Sequence, residues 1–302
     1  MLIMNGRSRQ SSTGYANMVT PTAKMPRAKY LNRLMNKQIN PGNGNDSREV
    51  AICANLEEVS RQAARTFEAL ANEAVEQRGR FTVCLSGGST PRQTYALLAE
   101  EPLRSTVPWD AVHIFWGDER VVPLDQPDNH YRMTTDILFS KVPIPAENIH
   151  RMQVEIGSPV EAAAAYEAML KSFFDLAPGE LPRFDLIILG MGADAHMASL
   201  FPGTAALNDE RLVADNYVPK LNAFRLTLTL PVLNHARNIM FLVSGVSKAD
   251  AFHAVQNHSM RTDLPASLLC PTEGRVYWVV DQDAASKLQS SMSTSSSEAL
   301  AQ

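Results

Sequence analysis

An acid and a histidine stand two positions apart just after the most apolar run of the chain. Asp194 and His196 follow the run 184–189, in the sequence GMGADAH that begins at Gly190. A histidine with a pKa near neutrality can take a proton from an attacking water molecule, and a neighbouring carboxylate can orient its ring. A lone histidine is usually structural, and that alternative stands beside the catalytic one. The glycines, the acid and the position make a general-base role for His196, with Asp194 beside it, as well supported as the structural one.

A glycine-rich turn, SGGSTP, begins at Ser86 and ends at Pro91, between a predicted strand and a predicted helix. Glycines let the backbone approach a ligand closely, and the free N–H groups at the start of a helix favour an anion such as phosphate. We expect Ser89 or Thr90 to cap the helix and Pro91 to lie in its first turn. The pattern is neither GxGxxG nor a Walker loop, so a nucleotide is not implied, and an ordinary βα turn is the alternative. The predicted binding residues are Ser86, Gly87, Gly88, Ser89 and Thr90.

Charged side chains flank two further predicted strands. Asp118, Glu119 and Arg120 follow the apolar run 112–116, and Lys220 and Arg225 precede the run 226–230. Fixed cations at the mouth of a sheet can clamp a phosphate or stabilise a developing oxyanion. The alternative for both groups is a solvated surface, where an ion pair contributes little. We include all five residues in the predicted substrate-binding set.

These residues must be positioned by short apolar runs that alternate with helical patterns. Such an alternation predicts an α/β fold, with an open, mostly parallel sheet and helices on both faces. Ligands bind beyond the carboxyl ends of the strands in such sheets, which is where the motifs lie. Strands are predicted at 50–54, 81–85, 112–116, 184–189, 226–230, 239–243 and 276–280; helices are predicted after Asn55, from about Pro91, from Ser158, and over 231–237, 248–256 and 283–288.

Composition excludes several classes of protein. The 302 residues are 45% hydrophobic and carry a formal charge of −4, so the whole chain gives no polycation signal for nucleic acid. No apolar run approaches the roughly 18 residues of a membrane span. The three cysteines are far apart and lack CxxC spacing, which excludes a disulfide framework and a cysteine zinc site and fits a reducing compartment. Cys84 lies in an apolar run and is predicted to be a small core residue.

Charge and composition divide the chain into three segments. Residues 1–45 hold seven Lys/Arg and no acid, whereas residues 46–302 carry a net charge of −11. The basic segment 1–45 is predicted to be a disordered tail, a mis-called start or an organelle transit peptide. Residues 46–290 are predicted to form a single α/β domain, and the Ser-rich residues 291–302 a disordered tail. The cytoplasm is the predicted location, with the plastid or mitochondrion as the alternative if residues 1–45 are a transit peptide.

Taken together and in this order, the motifs resemble the 6-phosphogluconolactonase family over about residues 48–290. The most specific matches are SGGSTP at 86–91, GDER at 117–120 and GMGADAHMASLFPG at 190–203, with weaker ones at 225–237 and 243–252. Glucosamine-6-phosphate deaminases share the fold but resemble this chain less. They carry Asp-Glu-Tyr where this chain has Asp118-Glu119-Arg120, and they lack the Ala198-Ser199-Leu200-Phe201 run.

The resemblance implies hydrolysis of 6-phosphoglucono-1,5-lactone to 6-phosphogluconate in the oxidative pentose phosphate pathway, without a metal or organic cofactor. The partner would be a small phosphosugar lactone, with no nucleic acid or membrane involved. The loop 86–90, Arg120 and one or both of Lys220 and Arg225 would hold the phosphate. His196 would activate water, oriented by Asp194 or Asp118, and Ser199 would be a turn residue rather than a nucleophile. The other readings are a non-catalytic sugar-phosphate binder and a deaminase-like isomerase.

This chain departs from the family pattern at two positions. The family usually reads Asp-Gly-His at the catalytic turn, where this chain has Ala195 between Asp194 and His196. If that position takes a positive φ, alanine costs roughly 1–2 kcal/mol there. The family also often has Asn where this chain has His130. The first departure bears on the position of the His196 imidazole, and the second bears on the substrate contacts of the loop that carries His130.

Overall fold

The computed structural model describes residues 48–258 and 260–288. The predicted segments 1–45 and 291–302 lie outside the described residues. Six parallel strands form the main sheet in the order β1-β9-β8-β5-β2-β3, and three antiparallel strands form a smaller sheet in the order β4-β7-β6. The strands are β1 (Arg48–Cys53), β2 (Phe81–Leu85), β3 (Val112–Trp116), β4 (Asp118–Arg120), β5 (Leu186–Gly190), β6 (Val213–Val218), β7 (Ala223–Leu228), β8 (Asn238–Val243) and β9 (Arg275–Asp281).

Helices connect the parallel strands. Two of them begin as predicted: the Asn55 side chain accepts from the Glu58 N–H at 3.0 Å, and Ser158 forms a capping box with Glu161. The α-helices are α1 (Leu56–Arg78), α2 (Ser89–Leu98), α3 (Leu103–Thr106), α4 (His130–Thr134), α5 (Pro159–Phe174), α6 (Leu230–Asn234) and α7 (Ala249–Asn257). A π-helical turn, Thr135–Phe139, continues α4.

The helices cover both faces of the main sheet. Phe81 points to one face, where its ring meets Phe67 of α1 at 5.3 Å. Phe115 points to the other face and meets Phe173 of α5 at 5.0 Å. Because side chains alternate along a strand, these contacts place α1 and α5 on opposite sides of the sheet. All five residues of β2, including Cys84, are buried, as a strand covered on both faces requires.

The predicted doubly covered parallel sheet is therefore confirmed, but three local predictions are wrong. The run 226–230 is not in the parallel sheet; it lies mostly in β7, where it pairs antiparallel with β4 and β6. β4 and β6 themselves were not predicted. Residues 282–285 form a turn rather than the first half of a helix.

Within residues 48–258 and 260–288, no helix combines the length and apolar character that a membrane crossing requires. The same residues contain no cluster of three or more His, Cys, Asp or Glu side chains arranged for a metal ion.

Candidate active site

A cavity of about 410 Å³ opens beyond the carboxyl ends of β2, β5 and β8. The parallel sheet brings the glycine-rich loop after β2 beside the His196 turn (residues 190–203) after β5, because β2 and β5 are neighbours. The small sheet closes the third side. Ten of the twelve predicted site residues line the cavity: Ser86, Gly87, Gly88, Ser89, Thr90, Asp118, Arg120, His196, Lys220 and Arg225.

The glycine-rich loop presents the N-terminus of α2 to the cavity. Gly88 is the N-cap residue, with φ of +103°, a conformation that L side chains rarely adopt. The prediction that Ser89 or Thr90 caps the helix is wrong: both lie inside α2, and the cap makes no side-chain hydrogen bond. The backbone N–H groups of the first turn are thus available for an anion.

Ser86 fixes the start of this loop rather than reaching into the cavity with a free hydroxyl. Its Oγ donates to the Ile188 carbonyl at 2.7 Å. Its backbone N–H donates to the Tyr95 hydroxyl at 3.1 Å, and that hydroxyl donates to the Ser86 carbonyl at 2.9 Å. These bonds tie β2 to β5 and α2, and so hold the loop against the His196 turn.

His196 and Asp194 are in direct contact. The Nδ1 atom of His196 lies 2.5 Å from Oδ1 of Asp194, and the other carboxylate oxygen contacts the Lys220 ammonium. The Phe201 ring stacks on the imidazole at a centroid distance of 4.1 Å. A carboxylate at Nδ1 favours the Nδ1–H tautomer, which leaves a lone pair on Nε2. The arrangement fits a general base.

The surroundings keep His196 neutral. Burial lowers its pKa to about 4, and the cations Lys248 and Arg225 act in the same direction, while Asp118 opposes them. At neutral pH the imidazole therefore carries no proton on Nε2 and can accept one. A base that is protonated only in acid suits hydrolysis by activated water.

The turn that carries His196 is tightly wound. Ala195 is buried and has φ of +59°, so the family glycine position does take a left-handed conformation here, with an alanine in it. Ala198 also has a positive φ, +45°. Gly192 allows no side chain, because a Cβ there would lie 2.0 Å from His196 Nδ1. The backbone is thus wound so that Asp194 and His196 meet.

Asp118 joins the small sheet to this turn. Its carboxylate is buried and accepts a hydrogen bond from Ser199 Oγ at 2.8 Å. The Ser199 N–H donates to Thr227 Oγ1 at 3.2 Å, and the Ser199 carbonyl accepts from Asn216 at 2.8 Å. All three of these polar groups are engaged, as the prediction of a structural Ser199 requires.

The predicted binding role of Glu119 is wrong in this geometry. Glu119 is fully buried outside the cavity, since alternation along β4 turns it away from Asp118 and Arg120. Its carboxylate accepts from the backbone N–H groups of Arg120, His130 and Tyr131 at 2.8–2.9 Å. Burial raises its pKa above the ordinary value, and the N–H donors oppose that shift. Glu119 clasps the start of α4 to β4.

Four cations surround the cavity. Arg120 and Arg225 are paired in register on β4 and β7, and burial together with Arg120 lowers the pKa of Arg225. Lys220 lies on the β6–β7 connection beside Asp194. Lys248 follows β8 and was not predicted as a site residue. Like charges this close favour an anionic ligand between them.

Two residues that line the cavity were not predicted as site residues, although both lie in segments that resemble the family. Lys248 belongs to the segment 243–252 that resembles the family, but it was assigned only to a helix; it meets the cavity because β8 is the neighbour of β5. Phe201 belongs to the His196 motif and lines the cavity beside the imidazole.

Known proteins resemble this chain over most of its length. Residues 54–278 match the family described as glucosamine-6-phosphate isomerases/6-phosphogluconolactonase. A 6-phosphogluconolactonase of a Nostoc species is 42% identical over 217 residues, which cover 71% of this chain and 88% of that protein. A protein named probable 6-phosphogluconolactonase 3, chloroplastic, of Oryza sativa subsp. indica is 40% identical over 245 residues, covering 78% and 74%.

Solved structures of related proteins have the same fold as this chain. The 6-phosphogluconolactonase from Trypanosoma cruzi has a TM-score of 0.72 and 26% identity, over 82% of this chain and 99% of that one. A monomeric glucosamine-6-phosphate deaminase has a TM-score of 0.66 at 22% identity, over 78% of this chain and 98% of that one, and so shares the fold. With its motifs, its sheet order and these likenesses, the chain belongs to the glucosamine-6-phosphate isomerase/6-phosphogluconolactonase family.

Proposed function

We propose that this protein hydrolyses 6-phosphoglucono-1,5-lactone to 6-phosphogluconate, in the oxidative pentose phosphate pathway. The observation that carries the proposal is a neutral His196, held by Asp194, across one cavity from a helix N-terminus and several cations. The cavity thus offers a proton acceptor and an anion site at the same time. The names of the Nostoc and rice relatives support the same substrate.

In this mechanism the phosphate binds the N–H groups at the start of α2, with Arg120 and one or both of Lys220 and Arg225 around it. Binding there brings the lactone C1 near His196. The lone pair of Nε2 takes a proton from a water molecule as its oxygen attacks C1. The resulting C1 oxyanion is stabilised by a cation or by N–H groups of the glycine-containing turns.

The tetrahedral intermediate collapses when the bond between C1 and the ring oxygen breaks. The protonated His196 then donates its proton to the departing ring oxygen, which becomes the C5 hydroxyl, and the imidazole is neutral again. Asp194 stabilises the transient imidazolium through Nδ1–H. A strained, activated ester needs no covalent nucleophile, and the engaged hydroxyl of Ser199 fits a structural role.

The test is lactonase turnover on freshly generated 6-phosphogluconolactone. Glucose-6-phosphate dehydrogenase produces the lactone, and 6-phosphogluconate dehydrogenase reports the product. We expect turnover far above the spontaneous rate for the natural chain and near that rate for His196→Ala. If a folded natural chain gives only the spontaneous rate, the proposal is wrong.

Two further measurements on the same purified protein distinguish the lactonase from the other candidate functions. A deaminase-like isomerase would release ammonia from glucosamine 6-phosphate, and we expect none. A non-catalytic binder would be stabilised against heat by 6-phosphogluconate without turnover. The proposed enzyme is expected to show both binding and turnover.

We propose a cytoplasmic location for the enzyme, with the plastid or mitochondrion as the alternative. The name of the rice relative places that protein in the chloroplast, and residues 1–45 are basic and free of acids. N-terminal sequencing of the mature protein from its source decides between them. A mature N-terminus near residue 46 would favour an organelle.

A further inference from the structure

His130 is a buried histidine at the edge of the cavity, in the position where the family often has asparagine. It is the first residue of α4, and only 5% of its side chain is exposed. Its backbone N–H donates to Glu119 at 2.8 Å, and its Nδ1 lies 3.1 Å from the Asp118 carbonyl oxygen. The ring is therefore fixed from one side by β4.

These contacts show that Nδ1 carries a proton, since Asp118 Oδ1 and Glu119 Oε1 also lie 3.9 and 3.7 Å from it. A carbonyl oxygen only accepts, so Nδ1 must be the donor, and the neutral ring then has a lone pair on Nε2. Nε2 is buried, and it has no hydrogen-bond partner among the residues that the structure describes. A buried acceptor without a partner is costly, and such atoms in native structures call for an explanation.

The free nitrogen lies beneath the glycine-rich loop. A Cβ on Gly87 would come within 2.0 Å of Nε2, so this atom is covered by a bare α-carbon. A small displacement of the loop would open Nε2 to the cavity that His130 already lines. A hydrogen bond from a ligand to Nε2 therefore requires that displacement.

The chemistry of the acceptor limits its ligand. A phosphate dianion and a lactone carbonyl have no proton to donate, so neither can bond to Nε2. Arg120, Lys220, Arg225 and Lys248 are donors and cannot accept from a sugar hydroxyl. Asp118 can accept, but one of its oxygens already accepts from Ser199. The hydroxyls of Ser89 and Thr90 also line the cavity and can accept. Among the described side chains that line the cavity, however, His130 presents the acceptor that is buried without a partner.

We propose that His130 is a specificity-determining residue, whose Nε2 accepts a hydrogen bond from one hydroxyl of the bound sugar phosphate. The proposal rests on the proposed function for its substrate, and it goes beyond that function by assigning a recognition role to a residue outside the proton-transfer machinery. The residue distinguishes sugars that carry the hydroxyl from those that lack it.

The test compares 6-phosphogluconolactone with its 2-, 3- and 4-deoxy counterparts. kcat/KM is measured for the natural chain, for His130→Asn and for His130→Gln. The Asn amide can still donate to the Asp118 carbonyl but does not reach the Nε2 position, whereas the longer Gln amide does. We expect one deoxy lactone to react about tenfold more slowly than the parent with the natural chain.

With His130→Asn, the parent lactone should fall to the rate of that deoxy lactone, so that the penalty for the missing hydroxyl disappears. The ratios for the other two deoxy lactones should not change, and His130→Gln should restore part of the discrimination. Equal loss on all four lactones would mean that His130 only supports the loop, and it would overturn the proposal. So would a natural chain that treats all four lactones alike.

A binding measurement separates this proposal from the proposed function. If the natural chain does not hydrolyse the parent lactone, the lactonase proposal fails, and calorimetry with glucose 6-phosphate and its 2-, 3- and 4-deoxy analogues still tests His130. A hydroxyl-dependent difference in Kd that His130→Asn abolishes supports the acceptor role. A uniform Kd change across the four ligands, or no change, overturns it.

Discussion

At the scale of single residues, the function depends on the protonation state of His196. Burial and two cations lower its pKa to about 4, so the neutral, reactive form predominates at every pH well above that value. We predict that kcat/KM for unphosphorylated gluconolactone, which carries no phosphate group that titrates near pH 6, stays level between about pH 5.5 and 7.5 and falls in acid, with a midpoint near pH 4. A midpoint near the ordinary histidine pKa of about 6.5 would contradict this assignment. His196→Gln should lose about 10²-fold or more at every pH, with an unchanged circular dichroism spectrum as the control.

Ala195 carries the backbone strain of the His196 turn. An L-residue at φ of +59° is strained by roughly 1–2 kcal/mol, and glycine would relieve that strain. Part of the gain in stability is lost, because glycine also makes the unfolded chain more flexible. We predict that Ala195→Gly raises the free energy of unfolding by about 0.5–1 kcal/mol. Because Asp194 already reaches His196 with alanine in place, kcat should change less than about twofold. The control is Ala163→Gly inside α5, which should lose about 1 kcal/mol. Stability lost at position 195 would show that the turn is not strained.

Arg120 is the cation that best separates phosphate binding from chemistry. It lines the cavity, and its guanidinium also donates to the Asp128 carbonyl at 2.9 Å, which fixes its position. We predict that Arg120→Ala raises KM for 6-phosphogluconolactone about tenfold or more, as loss of a charged hydrogen bond does. The same variant should leave hydrolysis of unphosphorylated gluconolactone nearly unchanged. Equal losses on both lactones would contradict a phosphate role.

At the scale of elements, Ser199 links the His196 turn to all three strands of the small sheet. It contacts Asp118 on β4, Asn216 on β6 and Thr227 on β7. We predict that Ser199→Ala lowers the free energy of unfolding by about 1–3 kcal/mol, because the buried Asp118 loses a donor. kcat should fall less than about tenfold, whereas loss of a serine nucleophile costs on the order of 10⁶-fold. Ser60→Ala in α1, which removes another buried hydroxyl, is the control for stability and should leave kcat unchanged.

The small sheet also marks the limit of prediction from the sequence. The parallel strands could be predicted because both faces are buried, and a run such as 184–189 is then continuously apolar. β4 consists of Asp118, Glu119 and Arg120, and three consecutive charges resemble a solvated loop. Pairing with β7 explains how they form a strand, but that pairing depends on contacts more than 100 residues apart along the chain.

The site could be predicted more fully than the elements that hold it. The chemistry of a glycine, a charged residue or a histidine is evident from the residue type alone. The loop 86–90 and His196 could therefore be chosen as candidate site residues directly from the sequence. The distances between these side chains could not be predicted. Glu119, for example, turns away from the cavity because side chains alternate along β4, a strand that was not predicted. Lys248 enters the site only through the order of strands β8 and β5, which sequence spacing does not reveal.

At the scale of the whole molecule, a cationic cavity is set in an acidic chain. Residues 46–302 carry a net charge of −11, yet among the described residues the cavity is lined by four cations and by one carboxylate, that of Asp118. A uniformly acidic surface would repel a sugar phosphate, so the local positive field must draw the substrate in and hold it. Folding thus gathers positive charge at one edge of the sheet, although the net charge of the chain is negative.

This charge distribution predicts a dependence on salt that separates binding from chemistry. Between about 0.1 M and 1 M salt the Debye length falls from about 10 Å to about 3 Å, which screens the attraction between the cavity cations and the phosphate. We predict that kcat/KM for 6-phosphogluconolactone falls severalfold over this range, mainly through KM, because His196 chemistry involves no ionic substrate group. Uncharged gluconolactone should show nearly constant kcat/KM, which controls for general effects of salt on the fold. If both lactones lose activity in parallel, salt acts on the protein and not on phosphate capture. If neither loses activity, the cations serve the oxyanion or the structure instead of the phosphate.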